Sequence, residues 1–70
     1  MLKKRSVNLN GHATSVTMEE PFWDALKTIA NERGLSINAL ISEIDEARDG
    51  NLSSAVRVHI LEHLTKQLTY

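Results

Sequence analysis

The sequence contains no cysteine and no long apolar run, and both absences limit what the chain can be. Without cysteine, disulfide bonds and thiolate metal sites are excluded, and nothing indicates an oxidising compartment. No apolar stretch approaches the roughly 20 residues that a helix needs to cross a bilayer. The basic start, MLKKRSVNLNG, is not followed by the apolar stretch of a signal peptide. We therefore expect a soluble, cytoplasmic protein with no membrane partner.

The length of 70 residues allows one domain. A chain of this size buries only about 60% of the surface that its unfolded state exposes. Chains near this limit often complete their core with a second copy, so we expect a homodimer. The sequence holds no internal repeat and no low-complexity segment.

Charge is distributed unevenly along the chain, although the formal net charge is only −1. Residues 1–17 carry three basic residues, Lys3, Lys4 and Arg5, and no acidic residue, whereas the rest of the chain carries five basic and nine acidic residues. Such asymmetry is typical of an arm that contacts another molecule. Short basic starts are also common as solvated tails, and charge alone does not separate the two interpretations.

Two strand-like segments are separated by Asn10-Gly11, a strong signal for a two-residue hairpin turn. The first segment ends at Leu9, and the second runs over about 13–18. The turn sets Leu9 opposite His12, and alternation then gives the hairpin one core face and one polar face. The core face is predicted to hold Val7, Leu9, Thr14, Val16 and Met18, and the polar face Ser6, Asn8, Ala13, Ser15 and Thr17.

Two amphipathic helices are predicted after the strands. The first begins near Pro21, whose missing N–H is harmless in a first turn, and Gly34 is placed to end it in a left-handed conformation. Ser36 is suited to cap the second helix, which Arg48 and Gly50 close. The predicted buried stripes are Phe22, Leu26, Ile29 and Ala30 in the first helix, flanked by Trp23 and Ala25, and Ile37, Leu40, Ile41 and Ile44 in the second.

A third helix is predicted after the segment DGN, with Ser53 or Ser54 as its cap and an end near Gln67. Its apolar residues form two stripes: Leu52, Ala55, Val56, Ile60 and Leu64 on one, and Val58, Leu61 and Leu68 on the other. Two stripes indicate contact with two surfaces, the core of its own chain and a neighbouring chain.

The order of strand, helix, Gly-x-Ser-x-Asn turn and helix resembles the ribbon-helix-helix family of DNA-binding proteins. The matching segments are ATSVTM, PFWDALKTIANER, the turn GLSIN and INALISEI. With the added helix GNLSSAVRVHILEHL, the chain resembles a bacterial subgroup of short ribbon-helix-helix proteins. The resemblance implies a mainly helical homodimer with a short β-ribbon, in which the same strand of two chains pairs antiparallel. It divides the chain into a basic arm or hairpin strand at 1–12, the core at 13–50 and a C-terminal helix at 51–70.

Candidate DNA-binding residues follow from this resemblance and from the charges. They lie in the groove-facing strand, the first turn of the second helix and the basic start: Ala13, Ser15 and Thr17; Ser36 and Asn38; Lys3, Lys4 and Arg5. Helix N-termini bind phosphate through free N–H groups, which supports the second group independently. Serine and threonine lack the bidentate base contacts of longer side chains, so most of the affinity is expected from phosphate contacts.

A hairpin in each chain affects how such a ribbon meets DNA. Four strands about 4.8 Å apart place the outer pair roughly 14 Å apart, whereas the major groove is only about 12 Å wide. A sheet of that width would not enter the groove face-on. Either residues 1–9 detach and act as a basic arm on the DNA backbone, or the sheet has a different use. The width favours the arm.

The sequence offers little support for a metal site or a catalytic site. His59 and His63 lie four residues apart on the third helix, a spacing that can chelate zinc or nickel, with Glu62 nearby. Two ligands on an exposed helix seldom make a specific site, so we predict no metal and no cofactor. No nucleophile stands in a recognisable motif, and a core this small offers no deep pocket, so we predict no enzyme.

The leading interpretation is a homodimeric DNA-binding protein, a transcriptional regulator that inserts a β-ribbon into the major groove of double-stranded DNA. The alternative is an antitoxin-like or adaptor protein built on the same dimer. It would recruit a protein partner through the C-terminal helix and the acidic segment EIDEARD at 43–49. In both interpretations the sequence leaves open whether dimers assemble into a higher oligomer.

Overall fold

The computed structural model describes residues 2–48 and 50–68. Strand β1 spans Leu2–Leu9 and strand β2 spans His12–Glu19. Three helices follow: α1 at Glu20–Glu32, α2 at Ile37–Ala47 and α3 at Leu52–Leu68. The predicted fold class is confirmed for the single chain, which is mainly helical with a short antiparallel ribbon. The predicted pairing of strands between two chains stays a prediction. Four predicted segments reach beyond the described residues. Met1 belongs to 1–12, Asp49 to both 13–50 and 43–49, and Thr69 and Tyr70 to 51–70.

The hairpin turn forms at Asn10-Gly11, where φ is 55° and 85°. Positive φ at both central residues is the geometry of a type I′ turn, and Gly11 adopts it without a steric penalty. Leu9 lies opposite His12, as the turn predicts, and pairing continues to Leu2 opposite Glu19. Residues 2–9 therefore form the hairpin strand in this structure and not the detached arm that the groove width favoured.

One face of the hairpin packs on the helices. Its buried residues are Val7, Leu9, Val16 and Met18. Thr14 shares this face but is exposed, because it borders an open groove of about 310 Å³ between the hairpin turn and the start of α3. Burial of Val7 and Leu9 explains why β1 stays on the sheet, since detaching it would return both side chains to water.

The helices α1 and α2 present the predicted stripes to the same core. The residues that they bury are Leu26, Ile29 and Ala30 from α1, and Leu40, Ile41 and Ile44 from α2. Phe22, Trp23 and Ile37 are half-buried at the edge of this core. Gly34 follows α1 with φ 69°, the left-handed conformation predicted from its position.

The caps of α2 and α3 differ in how well the sequence predicts them. Ser36 caps α2 as predicted, because its Oγ accepts the N–H of Ala39 at 3.0 Å. The cap predicted for α3 is wrong. Asn51 caps this helix, since its Oδ1 accepts the N–H of Ser54 at 3.0 Å. The Ser53 hydroxyl is engaged elsewhere, at the edge of β2.

Helix α3 packs on the core only through part of its length. Val56 and Ile60 are buried, whereas Leu64, from the same predicted stripe, is 43% exposed. The second stripe, Val58, Leu61 and Leu68, is exposed in the single chain. Within the two described ranges, no helix is both long and apolar enough to cross a bilayer.

Candidate nucleic-acid interface

The face of the ribbon that points away from the core is polar. Its central residues pair across the two strands, Lys4 with Thr17, Ser6 with Ser15, and Asn8 with Ala13. They alternate with the buried residues of each strand, so they share the opposite face. The structure therefore places the three groove-facing candidates, Ala13, Ser15 and Thr17, in one row on β2, with Lys4 next to the last of them.

The three basic residues of β1 lie in different surroundings. Arg5 points to the helix side, where its guanidinium pairs with Glu20 at 2.6 Å and lies 4.5 Å from the centroid of the Trp23 ring. Lys3 has a side chain that is 62% exposed and lies 3.9 Å from Glu20. Lys4 is exposed on the polar face and has no partner within residues 2–48 and 50–68. Only Lys3 and Lys4 are thus accessible to an external phosphate.

The charge of Arg5 predicts phosphate binding, but the structure places its side chain against α1. Its side chain is 20% exposed, and its Nε is buried against the fold without a hydrogen-bond acceptor. The cation rests on an aromatic face and an acidic side chain at the start of α1, an arrangement that ties β1 to α1. One signal was available in the sequence: alternation puts Arg5 on the same face as Val7 and Leu9.

The first turn of α2 lies beside the outer edge of β1. The backbone N–H of Asn8 donates to Asn38 Oδ1 at 3.5 Å. Ser36 already caps the N–H of Ala39. The N–H groups of Ile37 and Asn38 have no acceptor in the described part of the chain, so the positive end of the helix dipole keeps two free donors. Ser36 and Asn38 are therefore brought next to β1 but not next to the row on β2.

The free edge of β2 is partly occupied by α3, a contact that sequence reasoning missed. Thr17 donates its N–H to Ser53 Oγ at 3.1 Å, and Arg57 donates to the Thr17 carbonyl at 3.2 Å. Arg57 also pairs with Glu19 at 3.2 Å. The pKa of Glu19 lies below its ordinary value, first because its carboxylate accepts a backbone N–H and also because Arg57 is adjacent.

The two histidines of α3 do not share partners. His63 Nε2 lies 3.4 Å from Glu32 Oε1 and 3.2 Å from Gln67 Nε2. His59 lines a groove of about 320 Å³ between α2 and α3. Among the residues that the structure describes, no three His, Cys, Asp or Glu side chains are grouped so that they could hold a metal ion.

Two comparisons find relatives of this chain. A family model described as a ribbon-helix-helix domain matches residues 2–64. Among solved structures, the chain is similar to an uncharacterized protein from Bordetella pertussis Tohama I, with 32% sequence identity and a TM-score of 0.83. That match covers 99% of this chain but 60% of the other, so this chain spans about three fifths of the length of its structural relative. A search of curated proteins finds no match.

Proposed function

We propose, because this chain belongs to the ribbon-helix-helix domain family, that it is a homodimeric DNA-binding protein that regulates transcription. Members of this family are typically DNA-binding transcription regulators or antitoxins, and they are normally not enzymes. The observation that carries the proposal for this chain is the polar face of the ribbon, where Ala13, Ser15 and Thr17 form a row with Lys4 alongside.

The proposed dimer joins the β2 strands of two copies at the centre of a four-stranded sheet. The backbone N–H and C=O groups of Ala13 and Ser15 face the free edge of β2, and an unpaired edge of this kind readily accepts another strand. A second copy offers the same groups in reverse, so antiparallel pairing across a two-fold axis satisfies both. The β1 strands then lie on the outside of the sheet.

The intact hairpin determines how this sheet meets DNA. The two outer β1 strands of the four-stranded sheet are roughly 14 Å apart, slightly more than the width of the major groove, which is about 12 Å. We infer that the central β2 strands face the base edges while each β1 strand lies along a rim of the groove, over the phosphates. This arrangement directs Lys4 to the phosphates, while Lys3, on the opposite face of β1, is exposed at the rim beside Glu20. The Asn8–Asn38 contact brings the first turn of α2 to the same rim.

The chemistry of these residues implies that phosphate contacts dominate the affinity. Ser15 and Thr17 offer single hydrogen bonds to base edges, and Ala13 offers only its methyl group, so base readout is modest. Each neutralised phosphate adds about 0.9 to the slope of log K against log salt. Replacing Lys4 in both copies should therefore lower this slope by about 2.

A fluorescence-anisotropy titration tests the proposal with the DNA upstream of the gene for this protein and with an unrelated duplex. Between about 50 and 200 mM salt, wild-type affinity should fall steeply. Lys4→Ala should weaken binding and flatten the salt dependence. Lys27→Ala is the matched control, because it removes the same charge from the exposed side of α1, where Lys27 pairs with Asp24 at 3.6 Å. Salt-independent binding, or equal losses in the two variants, would contradict the proposal.

A protein-binding role is the second candidate, and the exposed apolar stripe of α3 favours it. Val58, Leu61 and Leu68 are 53%, 62% and 84% exposed. Isolated apolar side chains on a surface are ordinary, but several on one helix face mark an interaction surface. In an antitoxin-like or adaptor protein, Leu61→Asp should abolish capture of the protein partner and leave the affinity for DNA unchanged. Loss of DNA binding in this variant would assign the stripe to the dimer itself.

A further inference from the structure

The hairpin turn determines which backbone groups of β2 face the free edge. Because Asn10-Gly11 is a two-residue turn, Leu9 and His12 form the first hydrogen-bonded pair. Hydrogen-bonded and non-hydrogen-bonded pairs then alternate along the hairpin. The residues of β2 whose N–H and C=O groups bond to β1 are His12, Thr14, Val16 and Met18. Those whose groups point to the free edge are Ala13, Ser15 and Thr17.

Helix α3 occupies the last of these positions. Ser53 Oγ accepts the Thr17 N–H at 3.1 Å, and the Arg57 guanidinium donates to the Thr17 C=O at 3.2 Å. Arg57 is itself held by Glu19, and both α3 side chains are half-buried. Both backbone groups of Thr17 are thus satisfied within the chain. The edge groups of Ala13 and Ser15 have no partner within the described ranges.

The position of the two-fold axis decides which of these groups a second strand needs. An axis at Thr14 pairs Ala13 with Ser15 of the other copy, twice, and each of these pairs exchanges two hydrogen bonds. An axis at Ser15 pairs Ser15 with its equivalent, but its other two pairs join Ala13 to Thr17. An axis at Val16 pairs Ser15 with Thr17, twice, and Ala13 with Glu19. An axis at Ala13 would pair Ser15 with Gly11, which lies in the turn and donates its N–H to Asn8 Oδ1 at 3.1 Å. Of these four registers, only the axis at Thr14 uses the free groups and leaves the α3 contacts intact.

We propose that Ser53 and Arg57 end the shared ribbon before Thr17 and thereby place its two-fold axis at Thr14. This inference rests on the homodimer of the proposed function and adds the register of its strands. Ser53 and Arg57 are positioning residues, since they act through the backbone of Thr17. A ribbon paired along all of 13–18 would require α3 to release that backbone.

The register also determines what lies at the centre of the DNA-facing surface. With the axis at Thr14, Ala13 and Ser15 of both copies lie next to one another at the centre, and Thr17 and Lys4 lie towards the ends. The small side chains at the centre make few contacts with bases, and the Lys4 cations towards the ends are placed to bind phosphates. The surface is therefore suited to the DNA backbone. On the helix side, Thr14 meets its equivalent, and its exposure in the single chain leaves room for that contact.

Disulfide cross-linking separates the registers, and the absence of native cysteine makes each introduced thiol unique. With the axis at Thr14, Thr14→Cys places two Cα atoms about 4.5 Å apart, within disulfide range. In the same register, Ser15→Cys leaves its two Cα atoms about 8 Å apart, beyond that range. We expect Thr14→Cys to cross-link under mild oxidation and Ser15→Cys to remain unlinked. An axis at Ser15 would exchange the two results.

The role of α3 is tested in the double variant Ser53→Ala/Arg57→Ala, which frees the Thr17 backbone. An axis at Ser15 then becomes available, so cross-linking of Ser15→Cys should rise several-fold in this background. Ser54→Ala is the control, because Ser54 is an exposed neighbour on α3. Circular dichroism verifies that each variant is folded. If the double variant does not fold, the single variant Ser53→Ala replaces it in the cross-linking experiment.

Sedimentation of the same proteins separates failure of this inference from failure of the proposed function. Material that is monomeric at micromolar concentration removes the homodimer and the register with it. A dimer in which Ser15→Cys cross-links, or in which neither variant does, overturns the axis at Thr14 and leaves the homodimer standing. A cross-linking pattern that does not respond to freeing Thr17 overturns the assignment of α3 as the element that sets the register.

Discussion

Neighbouring basic residues of β1 have opposite surroundings. Arg5 spans from the ribbon to Trp23 and Glu20 on α1, whereas Lys4 extends from the opposite face into solvent. A planar guanidinium on an indole ring gives about 0.5–2 kcal/mol, depending on how far the cation is desolvated. Alternation along the strand assigns these roles, because adjacent side chains point to opposite faces.

The division of roles between Arg5 and Lys4 predicts opposite effects of two similar substitutions. Arg5→Ala should lower the free energy of unfolding by about 1 kcal/mol, because it removes the contact between β1 and α1. Lys4→Ala should change it by less than about 0.5 kcal/mol, as is usual for exposed sites, while it weakens DNA binding. Urea unfolding of the two variants measures the difference. Equal stabilities would show that the Arg5 contact contributes nothing.

A charge pair between α1 and α2 predicts part of the pH dependence of stability. Arg33, at the end of α1, donates to both carboxylate oxygens of Glu43, at 2.5 and 3.0 Å. This hydrogen bonding lowers the pKa of Glu43 below its ordinary value of 4.5. A lowered pKa in the folded state stabilises the protein above the unfolded pKa, and the stabilisation is lost as pH falls through the folded value.

Glu43→Gln should therefore reduce the loss of stability on acidification. Both side chains are about half exposed, so the effect is small and disappears at high salt. Urea unfolding of wild type and Glu43→Gln between about pH 3 and 7 measures it. Parallel stability curves for the two proteins would remove the pair from the pH dependence.

At the scale of helices and strands, elements with local signals were predictable and contacts across the fold were not. The Asn10-Gly11 turn fixes the hairpin register, and Ser36 caps α2 within its own turn. The cap of α3 was mispredicted because Ser53 is as suitable a cap residue as Asn51. The two residues differ in their contacts: the Ser53 hydroxyl accepts the Thr17 N–H at the edge of β2, whereas Asn51 Oδ1 accepts the Ser54 N–H and caps the helix.

The candidate site divides in the same way. The row of Ala13, Ser15 and Thr17 follows from alternation alone and was predictable. The engagement of Arg5 by α1 and of Thr17 by α3 depends on how the helices pack against the strands. No local pattern encodes that packing, so the sequence did not reveal which candidate residues are already occupied.

The cap of α3 gives a test at this scale. Asn51→Ala should lower the free energy of unfolding by about 1 kcal/mol, because it leaves the Ser54 N–H without its acceptor. Ser54→Ala should change it by less than about 0.5 kcal/mol, since only the backbone of Ser54 takes part in the cap. Asn51→Asp keeps an acceptor at the cap and should restore most of the stability. Chemical denaturation of the three variants decides the assignment.

At the scale of the whole molecule, the described residues form one hydrophobic core and leave more than one exposed surface that is suited to bind a second copy of the chain. Buried residues from all five elements form a single cluster. The free edge of β2 and the apolar stripe of α3 lie outside that core. Of these two features, the edge of β2 is the self-complementary one in its hydrogen bonding, so we place the dimer contact there.

A matched pair of proline substitutions tests this placement. Ser6 and Ser15 are cross-strand partners in a non-hydrogen-bonded pair, so both N–H groups point away from the hairpin, one to each edge of the sheet. Proline lacks an N–H and is tolerated at such edges, so either variant should keep the hairpin. Ser15→Pro removes a donor that the central ribbon needs, whereas Ser6→Pro changes only the outer edge.

The melting temperature of a dimer rises with protein concentration, and we expect wild type and Ser6→Pro to show this dependence and Ser15→Pro to lose it. The same dependence in Ser15→Pro would move the dimer contact away from β2, and α3 would become the surface to test.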